Sequence, residues 1–419
     1  MQNSKSYQVP FLLITCLFFL WGFAHNLDPI LIPHLKKSFT LTTTQSTLVD
    51  SAVFIAYFFM ALPAGYIMKR WGYKMGIIAG LLLFSFGAFL FVPAANFQSY
   101  PYFLIALFII ACGLTILETA ANPYVAALGD PATSTQRLNL AQSFNGLAVA
   151  LAPAIGARVI LTKGHSDQEL TMMTAEAKKI ALATEAYSVK TPYTILALVL
   201  LVIATVFYFI KLPDIRKKES NYPNDQNQSI ITGNILNTFK HTHLTWAVIA
   251  QFFYVGAQVC VFSLFILYAT KSANMSELKA ADYLGIGGLA FLIGRFVGTA
   301  FMKLVAPNKL LMIYAFASVV LCGIAIIGSG MITIYALIGV CFFMSIMFPT
   351  IFSLGIQNLG EDTEMASSLI VMSIVGGAIM PRFFAMIGDA SGNIQLGYTI
   401  PLLCFIVVGY FGWKGYKVK

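Results

Sequence analysis

The stretch TPYTILALVLLVIATVFYFI, residues 191–210, is a nearly continuous run of apolar side chains flanked by Lys190 and Lys211. About 20 such residues form a helix long enough to cross the hydrocarbon core of a bilayer. The chain as a whole has the same character, since its 419 residues are 58% hydrophobic and 10% charged, with a mean hydropathy of +0.78. Soluble domains carry about 25% charged residues, so this composition excludes a water-soluble globule.

Similar apolar runs recur along the chain, separated by loop residues, and together they predict twelve transmembrane helices. The spans are predicted at residues 10–35, 46–69, 74–94, 100–128, 138–161, 191–211, 245–270, 280–304, 309–329, 332–357, 364–388 and 396–415. The fold class predicted is therefore an all-α integral membrane protein. The N-terminus shows no cleavable signal pattern, so the first helix is predicted to be a permanent span.

Basic residues cluster at one side of the predicted spans, as in Lys69-Arg70 and Lys217-Lys218. Cytoplasmic loops carry the excess of Lys and Arg, so both termini are predicted to be cytoplasmic. The net charge of +9 is interpreted as this topology signal, and no nucleic-acid partner is expected because no basic stripe with interleaved aromatics occurs.

A polar segment at residues 213–243 lies near the middle of the chain and is predicted to be a cytoplasmic linker. It separates two predicted six-helix bundles, residues 1–212 and 244–419. Asn122-Pro123 in the first half and Phe348-Pro349 in the second occupy equivalent helices at one constant offset. Duplicated membrane halves place a substrate site near the midplane between them, as in alternating-access carriers.

Other features of the chain argue against enzymatic chemistry. The six cysteines lie inside apolar runs and are predicted to be buried packing residues. No phosphate-binding glycine loop, zinc motif or Ser-His-Asp arrangement occurs, so we expect no enzyme activity and no cofactor. The outer segment 163–190 is interpreted either as a short surface helix or as a plain loop.

Glu118 is the clearest candidate for a functional group, because it lies well inside the fourth span, with Asn122 one turn later on the same helical face. Ionisable residues in the middle of a span mark functional sites by default. Burial favours the neutral form of a carboxyl group, so Glu118 could take up and release a proton during transport. The alternative is a structural carboxylate paired within the bundle.

The first span places Trp21, His25 and Asp28 on one helical stripe suited to lining a cavity. Pro29 removes a backbone donor, which leaves a carbonyl near residue 25 that could help Asp28 to bind a cation. His25 is interpreted as a cavity or proton-relay residue, or else as a core histidine. Asp50 opens the second span and is either a capping group or a ligand of the coupling ion.

Uncharged polar side chains form stripes in the fifth and seventh spans. They are Asn139, Gln142 and Asn145 in the fifth span, and Gln251, Tyr254 and Gln258 in the seventh. Amides pair with vicinal hydroxyls and aromatic faces cover the apolar face of a pyranose ring, so these stripes predict a sugar site. The alternative is that they form interhelical hydrogen bonds.

Glycine and basic residues also occur together in two places. Gly65–Lys74 is interpreted as a cytoplasmic loop between spans two and three, and Gly294-Arg295 with Gly298 in the eighth span as its counterpart in the other half. Arg382 in the eleventh span either faces Asp389 or lines the cavity.

Several of these segments resemble the bacterial fucose permease family of the major facilitator superfamily. The matching segments are Leu17-Phe-Phe-Leu-Trp, Ile30-Leu-Ile-Pro, Leu117-Glu-Thr-Ala-Ala-Asn-Pro, Arg137-Leu-Asn-Leu-Ala-Gln-Ser-Phe-Asn, Tyr254-Val-Gly-Ala-Gln, and Phe348-Pro-Thr-Ile-Phe-Ser-Leu-Gly-Ile with Asn358-Leu-Gly. The resemblance covers nearly the whole chain and implies a twelve-helix carrier of two six-helix bundles in a bacterial inner membrane. Members of the family are symporters for fucose, glucose, galactose or related sugars, mostly driven by protons.

The resemblance also implies roles for individual residues. It assigns Glu118 and Asn145 to the sugar cavity, together with Trp21 and Asn26 of the first span. The family pattern has an aspartate directly before Ile-Leu-x-Pro, whereas this chain has Pro29 there and Asp28 one residue earlier. Since one residue turns a helical side chain by about 100°, the coupling ion is left open between H+, which is favoured, and Na+ bound by Asp28 and Asp50.

The function predicted is import of a neutral hexose by cation symport. Glu118, Asn145, Gln142, Asn26, Trp21, Asn122, Gln251, Gln258 and Tyr254 are the predicted sugar-site residues. The predicted coupling residues are Asp28, Glu118, Asp50 and His25. A uniporter, a membrane sugar sensor and an enzyme acting on sugar lipids remain alternatives, and the expected partners are the sugar and membrane lipid, with the protein itself a monomer.

Overall fold

The structure is a computed structural model that describes residues 5–25, 31, 35, 38–41, 45, 48–160, 172–213 and 240–418. These residues are almost entirely helical and include no β-strand. The predicted all-α fold class is thereby confirmed.

The helices of the part up to residue 213 are numbered α1 to α7. They are α1 Lys5–His25, α2 Leu48–Phe89, α3 Phe91–Asn96, α4 Tyr100–Ala127, α5 Ser134–Ile160, α6 Ala175–Ser188 and α7 Lys190–Phe209. We call this part the first bundle.

The helices from residue 240 onward are numbered α8 to α16, and we call them the second bundle. They are α8 Thr242–Ser263, α9 Phe265–Ser272, α10 Glu277–Phe301, α11 Pro307–Ile327, α12 Met331–Met344, α13 Met347–Gly355, α14 Thr363–Met372, α15 Gly376–Ser391 and α16 Thr399–Tyr410, which continues as a π-helical turn over Phe411–Gly415.

The described part contains nine helical runs long and apolar enough to cross a membrane. One of them, Ser51–Asn96, is 46 residues long and consists of two helices that meet at a kink at Gly72, whose φ of 85° and ψ of 166° are not helical. Glycine adopts positive φ without the steric cost of a Cβ atom. When this run is divided at Gly72 and α1 and α5 are added, the described residues form twelve helical segments, as predicted.

Residues 163–190 were interpreted either as a short surface helix or as a plain loop. The described part of this segment, from residue 172, contains the helix α6. Thr174 is the N-cap of α6, and its hydroxyl accepts a hydrogen bond from the amide of Ala177 at 3.3 Å. A threonine at this position satisfies one of the amides that the first turn of a helix leaves without a partner.

Within the first bundle, α2 and α4 pack closely through glycines. A Cβ atom placed on Gly113 would lie 2.5 Å from the amide nitrogen of Phe84 and 2.8 Å from the carbonyl oxygen of Gly80. Small residues allow two helix backbones to approach closely, which is the main source of helix association in a membrane. This contact holds α4, and with it Glu118, against α2.

In the second bundle, the tenth predicted span is interrupted between α12 and α13. Pro349 in α13 has no amide hydrogen, so the carbonyl of Ser345, four residues earlier, has no donor within the helix. That carbonyl is available to a side chain from another helix. The interruption therefore leaves the carbonyl oxygen of Ser345 as a hydrogen-bond acceptor inside the tenth predicted span.

The prediction that all six cysteines are buried is wrong for one of them. Cys112, Cys260, Cys322, Cys341 and Cys404 are buried, but Cys16 is exposed on α1. An apolar run predicts burial in the bilayer as a whole, and it does not reveal which face of a helix meets lipid and which meets protein.

The glycine contact predicts a local loss of stability when a methyl group is introduced. Gly113→Ala should lower the free energy of unfolding by about 1–3 kcal/mol, because backbone atoms cannot move out of the way. Gly285→Ala is the matched control, since nothing lies within 4 Å of a Cβ atom there. Thermal unfolding in detergent would measure both variants, and equal transition temperatures would contradict the packing argument.

Candidate functional site

Glu118 lies in α4 on the side that faces the rest of the molecule and is only 8% exposed. The hydroxyl of Tyr57, from α2, donates a hydrogen bond to its Oε2 atom at 3.0 Å. A carboxyl group at this depth needs such a partner, because burying it without hydrogen bonds is costly. The structure thus places a buried, hydrogen-bonded carboxyl group where the sequence predicted one.

One turn beyond Glu118, Asn122 connects α4 to α5. The Nε2 atom of Gln142 donates a hydrogen bond to Asn122 Oδ1 at 3.2 Å, and both side chains are buried. The Nδ2 atom of Asn122 is buried and has no hydrogen-bond partner in the part of the chain that the structure describes.

Asn145 connects α5 to α1 and is half-buried. Its Nδ2 atom donates a hydrogen bond to the carbonyl oxygen of Phe18 at 3.2 Å. The space for the Asn145 side chain exists because residue 22 is glycine, and a Cβ atom there would lie 2.6 Å from Asn145 Nδ2. Trp21, 5% exposed, packs its ring 4.2 Å from that of Phe18.

Arg295 lies in the middle of α10, is 5% exposed and joins the two bundles. Its Nε atom donates to the Ser345 carbonyl at 2.9 Å, and its Nη1 atom donates to the Gln142 carbonyl at 2.5 Å. Its guanidinium group also lies 4.6 Å from the centre of the Phe291 ring. Ser345 belongs to the second bundle and Gln142 to the first.

Gly294, Arg295 and Gly298 lie within α10, in the eighth predicted span, but Arg295 is buried, whereas Lys69 and Arg70 of the segment interpreted as its counterpart are exposed. The two glycines instead bring α10 against the break between α12 and α13. A Cβ atom on Gly294 would meet Ser345 Oγ at 2.6 Å, and one on Gly298 would meet the Ile346 side chain at 2.5 Å. They position Arg295 for the Ser345 carbonyl, which Pro349 leaves without a helical donor.

Glu118 and Arg295 carry opposite charges in adjoining bundles, and they lie close enough to interact electrostatically. Charges removed from water are stabilised by such a partner and by hydrogen bonds to fixed dipoles. An ionised Glu118 thus has a charge of opposite sign within electrostatic reach.

The amides of the other predicted stripe differ in exposure. Gln251 is fully buried, and neither of its amide atoms has a hydrogen-bond partner among the described residues. Tyr254 is fully buried, and its hydroxyl donates to the carbonyl of Met344 at 3.1 Å. Gln258 is half-buried.

Asn139 forms an interhelical hydrogen bond, which was the alternative to sugar binding for the polar side chains of the fifth span. Its Nδ2 atom donates to Thr135 O at 2.9 Å and to Thr350 Oγ1 of the second bundle at 3.2 Å. Arg382 and Asp389 are both exposed on α15.

Several predicted residues cannot be placed. Asn26 and Asp28 lie outside the described residues, and so do the side chains of His25 and Asp50. Their assignment to the sugar or to the coupling ion, whether H+ or Na+, stays a prediction. In the described part of the chain, no group of three or more His, Cys, Asp or Glu residues could hold a metal ion.

Sequence reasoning missed Tyr57 and Ser345. Tyr57 is one tyrosine in an apolar span, and only the packing of α2 on α4 brings its hydroxyl to Glu118. Ser345 acts through its backbone carbonyl, which the sequence signals only indirectly, through Pro349 four residues later.

Comparison with known proteins identifies relatives over nearly the whole chain. The Major Facilitator Superfamily model matches residues 11–381. The chain is 43% identical to the L-fucose-proton symporter of Escherichia coli over 98% of this chain and 93% of that protein. It is 38% identical to the glucose/galactose transporter of Brucella abortus over 99% of this chain and 96% of that protein.

Its structure matches crystal structures of FucP, the fucose:proton symporter of E. coli, with a TM-score of 0.90. One of these, of FucP in the outward conformation, is 42% identical and is matched over 98% of this chain and 99% of that chain.

The two carbonyl contacts of Arg295 predict that its charge alone does not stabilise the fold. Arg295→Lys keeps the charge but cannot span both carbonyls with a fixed planar group. Since a hydrogen bond to a charged group contributes about 1.5–3 kcal/mol, the variant should unfold at a clearly lower temperature in detergent. Arg382→Lys, at an exposed position, is the control, and equal unfolding temperatures for the two variants would refute the prediction.

Proposed function

The chain belongs to the Major Facilitator Superfamily, and we propose that it is a secondary active transporter that imports a neutral hexose together with a cation. The two bundles alternately open the site to the two sides of the membrane. The named activities of its relatives, L-fucose-proton symport and glucose/galactose transport, support a hexose as the substrate. The protein carries out no chemical conversion of the sugar.

The observation that carries this proposal is the buried Glu118 carboxyl group, hydrogen-bonded to Tyr57 within the first bundle and within electrostatic reach of Arg295 in the second. Coupled transport needs a group whose charge changes with the bound ion and whose environment differs between the two conformations. A carboxyl group near the contact between the bundles meets that need.

Sugar binding falls to side chains near Glu118. Asn145 and Gln258 are half-buried amides with hydrogen-bonding capacity for hydroxyl groups. Trp21 provides an aromatic surface beside Asn145. Gln142, Asn122, Gln251 and Tyr254 are proposed to support the site, together with Asn26, whose position the structure does not describe.

A proton is the preferred coupling ion. Arg295 lies within electrostatic range of Glu118, so a sodium ion beside the carboxylate would be repelled by the guanidinium cation. A proton neutralises the carboxylate without adding a separate ion to be coordinated. Sodium coupling through Asp28 and Asp50 is the second candidate.

We further propose that the protein lies in a bacterial inner membrane with both termini in the cytoplasm. The described part near residue 213 belongs to the same end of the molecule as the Lys74 side chain, whose Nζ donates to the carbonyl of Tyr208 at 2.8 Å. That end also carries Lys69, Arg70 and Lys211. An excess of basic residues marks the cytoplasmic side.

Uptake by purified protein in proteoliposomes tests the function. A panel of radiolabelled hexoses would be tried under an imposed proton gradient, with and without sodium. Concentrative uptake of at least one hexose is expected under the proton gradient. Equilibration without accumulation would identify a uniporter, and saturable binding without flux would identify a sensor.

Neutralising Glu118 should separate exchange from accumulation. Glu118→Gln keeps the shape and a hydrogen bond with Tyr57 but cannot change its charge, so gradient-driven accumulation should be lost while exchange of sugar across the membrane remains. Asp389→Asn, an exposed carboxylate in α15, is the control and should accumulate sugar normally. Full accumulation by Glu118→Gln would remove the coupling role of this residue.

A further inference from the structure

The C-terminal end of α16 presents aromatic and basic side chains at one end of the second bundle. Trp413 is 56% exposed there, and the Nζ atom of Lys414 lies 4.2 Å from the centre of its ring. The ring of Tyr410, one turn earlier, lies 4.7 Å from that of Trp246 in α8. Tryptophan and tyrosine are enriched where a bilayer meets water, so this end of α16 lies at a membrane surface.

The π-helical turn at the end of α16 packs against the start of α11. A Cβ atom on Gly412 would lie 2.9 Å from the carbonyl oxygen of Asn308, and Asn308 Nδ2 donates a hydrogen bond to the Gly412 carbonyl at 3.4 Å. Lys309 follows Asn308 directly, so its charge lies at the same end of the two helices. We call Lys309, Trp413, Lys414 and Lys417 the basic surface.

The basic surface carries positive charge that no acidic side chain balances. Lys309, Lys414 and Lys417 are exposed, and none of them pairs with a carboxylate in the part of the chain that the structure describes. Lys414 instead contacts the ring of Trp413, which attracts a cation without cancelling its charge. The surface therefore favours an anion as its partner.

A shallow apolar groove follows the contact between α11 and α16, starting at the basic surface. Its floor is made of small residues, since Gly409 is half-buried and a Cβ atom there would lie 3.6 Å from the Cβ atom of Ala315. Larger apolar side chains are exposed on both helices beside this contact, namely Ile313, Phe316, Leu403 and Ile406. A groove of this kind inside a membrane span fits a hydrocarbon chain.

The charge and the groove together define one occupant. A soluble anion would leave the groove unfilled, and a lipid without net charge would leave the lysines without a counter-charge. A phospholipid with an anionic headgroup matches both, because its phosphate oxygens accept charge-assisted hydrogen bonds from lysine. Each lysine beside the membrane raises the affinity for anionic lipid by about five-fold.

The basic surface lies at the end of the molecule that is proposed to be cytoplasmic. A Cβ atom on Gly415 would lie 3.1 Å from the Trp246 side chain, near the start of α8, and the start of α8 also packs against Gly355 at the end of α13. The end of α13 contacts the first turns of α5. These turns follow the end of α4, where Tyr124 donates a hydrogen bond to the carbonyl of Pro213 at 3.1 Å. Anionic lipids are present in the cytoplasmic leaflet.

We propose that the basic surface and the adjoining groove form a binding site for an anionic phospholipid of the surrounding bilayer. Its phosphate lies against Lys309 and Lys414, and one acyl chain follows the groove between α11 and α16. The site requires only that the chain spans a membrane, so it does not depend on the proposed transport of sugar.

Quenching of Trp413 fluorescence by brominated lipids tests the site. The purified full chain is placed in phosphatidylcholine bilayers that contain either brominated phosphatidylglycerol or brominated phosphatidylcholine. The fluorescence that Trp413→Phe removes gives the contribution of Trp413. Brominated phosphatidylglycerol should quench this contribution at a roughly 25-fold lower concentration than brominated phosphatidylcholine, about five-fold for each of the two lysines that hold the phosphate.

Substitution of the two lysines should remove this preference in steps. Lys414→Gln removes one charge and should leave a preference of about five-fold, and Lys309→Gln/Lys414→Gln should leave none. Lys279→Gln is the matched control, since Lys279 is exposed in the first turn of α10, at the opposite end of that helix from the loop to α11. This control should keep the preference of the parent chain.

Equal quenching by the two lipids would overturn the proposal, as would a preference that persists in the double variant or disappears equally in Lys279→Gln. Full reversal of the quenching by soluble glycerophosphoglycerol, at the concentration of the lipid, would also overturn it, because the headgroup alone would then account for binding. A preference for phosphatidylglycerol in a chain that moves no sugar would support the lipid site and contradict only the transport function.

Discussion

The structure depends on the way in which one buried cation, Arg295, is accommodated between the two bundles. A guanidinium group inside a membrane protein requires hydrogen-bond acceptors, and here both described acceptors are backbone carbonyls. Ser345 offers its carbonyl because Pro349 cannot donate to it, and Gln142 offers one from the other bundle. A carbonyl acceptor carries no net charge, so the cation keeps its electrostatic attraction to Glu118 across the interface.

Close glycine packing and hydrogen bonds both contribute to the contacts within and between the bundles. Within the first bundle, α2 and α4 approach until backbone meets backbone at Gly80 and Gly113, and such packing has no stable intermediate separation. Between the bundles, the described contacts at α5 and α13 are single hydroxyl and amide hydrogen bonds. Elsewhere the interface is packed as closely as a single bundle, since a Cβ atom on Gly65 of α2 would meet the side chain of Ser368 and lie 3.2 Å from the carbonyl oxygen of Glu364, both in α14.

The fold could be predicted from sequence because hydrocarbon permits few alternatives to apolar helices, so run length alone located the spans. Glu118 was also predictable, since a carboxylate in an apolar run is rare. The burial of Arg295 was not predicted, because a glycine-flanked arginine in a span looks the same whether it reaches the membrane surface or a carbonyl of another helix. The amide stripe on α5 predicted hydrogen bonding, but spacing does not distinguish a sugar hydroxyl from Thr350 of another helix. Only the packing of α5 against α13 makes that distinction for Asn139.

Helix α5 carries residues that contact α1, α4, α10 and α13, so these parts of the structure are linked through one helix. Thr135, Asn139, Gln142 and Asn145 follow one another at intervals of three or four residues, over roughly 15 Å of helix at 1.5 Å per residue. Asn145 contacts α1, Gln142 contacts Asn122 and, through its carbonyl, Arg295, while Thr135 and Asn139 in the first turns contact Ser353 and Thr350 of α13. Because a helix of this length moves as one body, a displacement of Asn145 also displaces Thr135 and Asn139. Coupling between Asn145 and the contact with α13 then requires only that both lie on the same helix.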